Sequence, residues 1–304
     1  MKIFNKLPKM SVQKEYEKHT EIKPEDIENV QLWLEEQPHL PREHITDLDL
    51  ILAYHSRDCN IEQAKQVIDL NYTLRGLLTF YSNREVDNCL ERALQTWLVT
   101  PLSTNTKEGY RPIYCQLLDT NLNKFVYSDV VRAFVMIVDL WQYEEGTVPG
   151  VAIMLNMDKV SISHISRMEL NVAQQFLYFL QEAMFIQLKE FHFVNAPHYI
   201  NTLLDMIRPF LRKEMLDKIK VHYVGSNSLE EYLPLHALPK EAGGNYKDGL
   251  ILRDEILSKL KANRKFFEED YKKRVDESKR PGGPKSLSTF FTSVEETFKN
   301  LEID

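Results

Sequence analysis

Glu190-Phe191-His192-Phe193-Val194-Asn195 places an aromatic ring at two alternate positions. Side chains alternate across a strand, so Phe191 and Phe193 share a face and the stretch reads as β. Upstream, Gly150-Val151-Ala152-Ile153-Met154-Leu155-Asn156 is a compact apolar run between Pro149 and Asp158, the length of a buried strand. Pro112–Leu118 also reads as a strand, and Lys220–Val224 as a last short one. Helical stretches separate them: Asp129–Tyr143, Glu169–Ala183, and a run from Pro197 to about Lys218. Strands alternating with helices predict βαβ units, hence an α/β fold with a mostly parallel sheet.

Outward from this centre the texture changes. The first hundred residues read as helical: a helix opening at Pro24 with acidic residues behind it, a stripe Leu48, Ile51, Leu52 and His55, and a run from Asn60 to Leu78. After Gly249 the chain becomes charged, and Asp254–Arg274 reads as one helix. Arg280-Pro281-Gly282-Gly283-Pro284 breaks it, and the tail keeps Phe290, Phe291, Val294, Phe298 and Leu301, enough apolar surface to dock on the body. The expected organisation is a helical unit over 1–100, an α/β unit over 101–250, and a helix with docked tail over 251–304.

Composition excludes more than it names. Across 304 residues, 43% are hydrophobic and 27% charged, the profile of a globular chain that can bury a core. Basic residues number 38 against 45 acidic, a net charge of −7, which disfavours nucleic acid as the main partner. Cys59, Cys89 and Cys115 are far apart, so neither a disulfide framework nor a zinc site is expected. No apolar run approaches the ~20 residues of a membrane-spanning helix, and MKIFNKLPKM is too weakly apolar for a signal peptide. Asn71-Tyr72-Thr73 fits a glycosylation sequon by chance, and a cytoplasmic location is expected. Phosphate-loop, dinucleotide, serine-hydrolase and zinc-protease signatures are all missing, so no catalytic residue is assigned. His192 and His198 lack a further ligand to complete a metal site. Asp139, an acid in an apolar helix, reads as a helix-face group reaching solvent or a cap, the alternative being a polar group facing a ligand.

The run after Pro197 is amphipathic. Tyr199, Ile200, Leu203, Leu204, Ile207, Leu211 and Met215 form one broad side, and Arg208, Arg212, Lys213 and Lys218 the other. Such a stripe fits packing on a solid core. It also fits a lid over an apolar cavity whose basic exterior meets an anionic membrane.

Several segments resemble the CRAL-TRIO lipid-transfer family, in its insect branch similar to α-tocopherol transfer protein and cellular retinaldehyde-binding protein. Arg57 to Ala64 resembles the stretch R-x-F-x-x-x-x-A, with Cys59 where Phe is usual. Glu108–Tyr114 resembles the entry to the first strand, Lys189–Pro197 resembles K-G-I-H-F-I-N-x-P, Arg208–Leu211 resembles K-P-F-L, and Leu238–Gly244 resembles L-P-x-E-Y-G-G. The resemblance implies an N-terminal helical subdomain followed by an α/β/α domain enclosing an apolar pocket, closed here by Pro197–Lys218. Carried over position by position, the pocket residues are Val131, Phe134, Val135 and Val138 on its first helix, then Ile153 and Leu155 on a strand. Phe179, Leu180, Met184, Ile186, Leu188, Phe191 and Phe193 follow, and Ile200, Leu203, Leu204 and Ile207 belong to the lid. Phe134 and Val138 replace two family serines, implying a more apolar pocket. Lys189 and Lys218 match two phosphoinositide contacts, Gln187 and Glu214 replace two others, and Arg208, Arg212 and Lys213 supply further basic groups. The implied function is a cytosolic, monomeric, transiently membrane-associated carrier of a small hydrophobic lipid, such as a retinoid, carotenoid, tocopherol-like or other isoprenoid molecule. No other cofactor is implied. The alternative is a lipid-responsive adaptor or trafficking scaffold.

Overall fold

A computed structural model describes residues 10–18, 21–294, 296 and 297; Phe298 and Leu301 lie outside them. The chain begins with helices α1 (Val12–Glu17), α2 (Pro24–Glu35), α3 (Asp47–Ser56), α4 (Ile61–Leu77) and α5 (Asn88–Thr96). Each start has a local cause. Pro24 opens α2 ahead of Glu25 and Asp26. Thr46 and Asp49 form a capping box on α3. Asn60 and Asp87 accept from the Gln63 and Leu90 N–H groups at the starts of α4 and α5. Asn71, within the sequon, is buried and donates to the Ala183 carbonyl, so its amide is committed to packing.

Strands β1 (Trp97–Pro101), β2 (Arg111–Leu117), β3 (Val151–Asn156), β4 (Leu188–Ala196) and β5 (Ile219–Tyr223) form one sheet in that spatial order. The β1–β2 pair is antiparallel and the other pairs parallel, so the mostly parallel α/β reading holds. The sequence reading missed β1, which it had placed in the helical unit. β1 follows α5 without a turn residue and ends at Pro101, an edge position where a missing N–H is tolerated.

Between the strands run α6 (Tyr127–Glu145), α7 (Ile162–Ile165), α8 (Leu170–Tyr178), α9 (Ile200–Ile207) and α10 (Lys213–Leu216). The expected helix over Glu169–Ala183 ends in a π-helical turn, Phe179–Ala183. The expected single helix from Pro197 to Lys218 is three pieces: α9, a 3₁₀ turn Arg208–Phe210, and α10. Pro209 explains the break, because it has no N–H to continue an α-helical ladder. The C-terminal helix also divides, into α11 (Gly249–Ala262) and α12 (Arg264–Tyr271) about Asn263. A short α13 (Leu287–Phe290) leads the tail onto α8, with Phe290 and Phe291 6.4 and 5.2 Å from the Tyr178 ring.

Asp139 corrects its sequence reading. It is buried in a cluster joining α4, α6 and α12, with Arg84 at 2.6 Å and Arg75 at 3.3 Å. Asp270 completes the cluster, 2.6 Å from Arg75 and 2.8 Å from Arg84. The Arg75 and Arg84 guanidiniums outweigh burial and hold Asp270 well below the usual carboxylate range. Asp139 therefore faces neither solvent nor a ligand. Buried acids and bases in one cluster avoid the penalty each would suffer alone.

Candidate functional site

The sheet register builds an apolar wall. Val99 pairs with Cys115, Cys115 with Leu155, and Leu155 with Phe193, a continuous row across four strands. Ile153 and Phe191 pair in the adjacent row on the same face. Opposite this face, α6 contributes Tyr127, Val130, Val131 and Phe134, the i, i+3, i+4, i+7 stripe of a helix. Phe176 and Leu177 of α8 close one side, and Leu203 and Ile207 of α9 another. The segment after β3 brings Met157, Val160, His164, Ile165 and Met168. Together with Trp97 and Phe125 they surround a cavity of about 150 Å³.

The residues carried over by resemblance divide by position. Val131, Phe134, Ile153, Leu155, Phe191, Phe193, Leu203 and Ile207 line the cavity. Val135 and Val138 continue the α6 stripe beyond it and are packed in solid core. Phe179 and Leu180 belong to the same solid core, with the Phe179 ring 5.1 Å from Tyr81. Met184, Ile186 and Leu188 are buried there too, because the π turn carries the chain away from the cavity before β4 begins. Ile200 and Leu204 of α9 pack in the neighbouring apolar cluster without reaching the lining. The sequence reading missed Trp97 and Val99 with their strand, and the whole 157–168 contribution. Cys115 was legible as a strand residue; burial pushes its thiol up to about 12, so it behaves as a small apolar group.

The basic residues fall into two groups. Arg208, Arg212 and Lys213 are exposed about the turn between α9 and α10. Arg208 reaches Asp205 only at 3.8 Å, whereas Arg212 pairs with Glu182 at 2.6 Å. Lys189 and Lys218 are half-buried at the other end of β4 and before β5. Burial and, after it, the neighbouring Lys189 charge lower the Lys218 pKa. Gln181 ties the π turn after α8 to the turn after α9: its Nε2 donates to the Phe210 carbonyl and its Oε1 accepts from the Arg212 N–H.

The reverse face of the same strands is filled: Leu98, Ala152, Met154 and Val194 pack there with Leu229, Leu233 and Leu238, and a polar network runs among them. Asn156 donates to the Tyr114 hydroxyl, which donates to Gln116, and Asn195 donates to Asn156. His192 is buried, with Nε2 3.1 Å from Glu190 and Nδ1 2.9 Å from His222 Nε2. His222 Nδ1 lies 2.8 Å from the Ser228 hydroxyl. Proton directions follow from one end. The Ser228 N–H donates to Ser226 Oγ, Ser226 donates to Ser228 Oγ, and Ser228 donates to His222. His222 then donates to His192, and His192 to Glu190. Burial foremost, then the Lys220 charge for His192 and the His192 charge for His222, push both imidazoles down to about 4. Among the described residues no helix is long and apolar enough to cross a membrane.

The chain is similar to known proteins in two stretches of its sequence. The family model described as CRAL/TRIO domain matches residues 95–244, which contain the whole sheet, and one described as Pinta-like, UBA domain matches 19–89. "Alpha-tocopherol transfer protein-like" of Mus musculus is 27% identical over 208 residues, covering 66% of this chain and 59% of that protein. "Clavesin-2" of Homo sapiens is 23% identical over 230 residues, covering 74% of this chain and 70% of that protein. The match to the first of these thus spans about three-fifths of the relative's length. The crystal structure of Sfh5 aligns with 63% of this chain and 69% of its own at a TM-score of 0.44 and 16% identity.

Proposed function

The chain carries a CRAL/TRIO domain and belongs to the CRAL-TRIO family, and from that premise we propose that it binds a small hydrophobic lipid non-covalently in this cavity and carries it between membranes. The observation that supports the reading is a carbon-lined space between the sheet, α6 and α9. Burying ~400 Å² of lipid at ~25 cal/mol per Å² contributes on the order of 10 kcal/mol before ordering costs. That leaves micromolar to nanomolar binding within reach. The ligand class is a retinoid, carotenoid, tocopherol-like or other isoprenoid molecule, and no covalent step is needed.

A cavity of about 150 Å³ holds a ring-sized group, whereas ligand pockets run to roughly 300–1,000 Å³. Loading therefore requires a wall to move. The short α9, hinged at Pro209 and tied to the π turn after α8 through Gln181 and the Arg212–Glu182 pair, is the mobile wall in this reading. Arg208 and Lys213 then meet the anionic membrane surface, with a phosphoinositide headgroup as one acceptor.

The test is transfer of lipid from loaded protein to vesicles. Extracts of purified protein should contain a hydrophobic lipid, and delipidated protein should take one up. Reversing Arg208 and Lys213 to Glu should slow transfer to anionic vesicles several-fold and leave affinity unchanged. Arg212 is left intact because its loss would also free Glu182. Protein that carries no lipid and takes up no retinoid, sterol or tocopherol would overturn the proposal.

A further inference from the structure

The tail crosses the molecule between two unequal contacts. The first is a network of charges. Asp69 of α4 accepts from Arg280 at 2.7 Å and from Lys285 at 2.9 Å, and lies 2.8 Å from His39 Nε2. Glu277 accepts from the Arg280 Nε and from the Lys285 N–H. Between these two bases, Gly282 and Gly283 turn the chain at φ of +86° and +99°, which glycine adopts freely. The second contact is apolar and loose. Phe290 and Phe291 are half-buried against the Tyr178 ring of α8. Gln174 Nε2 reaches the Thr292 carbonyl at 3.4 Å and Thr297 Oγ1 at 3.5 Å, long for hydrogen bonds. The charged end is therefore the anchor, and the aromatic end is the one that can lift.

What the aromatic end covers gives it a role. Gln174 and Tyr178, four residues apart, share the face of α8 that meets the tail. Phe176 and Leu177 of the same helix line the cavity. Beyond Tyr178, α8 runs directly into the π turn Phe179–Ala183. That turn holds the connection after α9 through Gln181 and the Glu182–Arg212 pair. The tail, α8, the π turn and α9 are thus linked in series, with the tail fixed at Asp69. Widening the cavity by moving α8 pulls its Gln174–Tyr178 face against an anchored segment. We infer that the tail is a strap whose hold on α8 limits how often the cavity opens, so that lifting Phe290 and Phe291 off Tyr178 speeds ligand entry and exit alike. The inference rests on the lipid-carrier reading and adds the segment that sets its rate of exchange. A strap that holds the closed form equally, whether empty or loaded, shifts no binding equilibrium. Both rates therefore change by one factor and affinity stays.

The test uses the full chain carrying Phe290→Ser/Phe291→Ser, with N-phenyl-1-naphthylamine, an uncharged apolar fluorophore, as the stopped-flow probe. Losing two ring contacts is worth about tenfold in the equilibrium between strapped and lifted forms. Amide hydrogen exchange in the ligand-free variant should be about tenfold faster through α8, the π turn and α9, and unchanged in β3 and β4. Probe entry and exit should each quicken by about the same factor, with the dissociation constant within about twofold of wild type. Unchanged protection in α8 and α9, or protection lost equally in β3 and β4, would overturn the strap and leave the carrier reading standing. So would wild-type entry and exit rates, or a faster exit with unchanged entry. A wild-type chain that takes up no probe would overturn the carrier reading, and hydrogen exchange alone would then decide the strap. Should the double variant not fold, Tyr178→Ala removes the same contact from the α8 side and is held to the same outcomes.

Discussion

The two faces of one strand differ more than any two domains of this chain. On β4, Phe191 and Phe193 point into an apolar space, while Glu190 and His192, which alternate with them, enter a run of hydrogen bonds reaching Ser226. The same alternation on β3 sends Leu155 to the cavity and Asn156 to Tyr114, Asn195 and the Asp158 N–H. Directional bonds on one face fix strand register, since a slip of one residue would break each of them. Apolar contacts on the other face are non-directional. That face can give up packing to a ligand, or to empty space, without loss of the sheet.

The largest expected effect lies on the hydrogen-bonded face. Asn156→Ala removes the partner of Tyr114, Asn195 and the Asp158 N–H, and should cost about 3 kcal/mol in urea unfolding. Leu155→Ala, one residue away, should cost about 2 kcal/mol, at the low end for a core leucine because its neighbour is already space. A Leu155→Ala protein destabilised as much as Asn156→Ala would break the contrast between the faces.

Acid sharpens the comparison. His192 and His222 are neutral when folded, with pKa values near 4 against an ordinary 6.5. Between those values the unfolded chain binds more protons, so stability is full above about pH 6.5 and falls as the pH drops towards 4. After discounting for solvent near the serine end of the chain, the loss from pH 7 to pH 5 should be about 1 kcal/mol. Urea titrations across that range would show it, and His222→Asn should flatten the slope. An unchanged slope in that variant would assign the acid sensitivity elsewhere.

Alternation made β4 legible and a compact apolar run made β3 legible, and β3, β4 and β5 stand within a few residues of their expected limits. Alternation also put Phe191 and Phe193 on one face, whereas Ile153 and Leu155 came with the family resemblance. β1 escaped because five residues joined directly to a helix carry too little pattern. Pro209 was visible in the run after Pro197, yet the amphipathic stripe on both sides of it outweighed the break. Other features are non-local. Asp139 could not be read correctly from its helix, since its partners Arg75, Arg84 and Asp270 lie in distant parts of the chain. His164 has no periodic pattern to mark it, and reaches the cavity only because the segment after β3 folds back over the sheet.

The central claim is that the cavity face holds a ligand and the hydrogen-bonded network on the reverse face does not depend on it. Leu203 on α9 faces about 150 Å³ of space, so Leu203→Trp should fill the cavity at a stability change of about 1 kcal/mol or less. Native mass spectrometry of wild-type and Leu203→Trp protein purified in parallel tests this directly. The account predicts a bound lipid on the wild-type chain and none on the folded variant. Equal lipid on both would place the ligand outside this cavity and contradict the account.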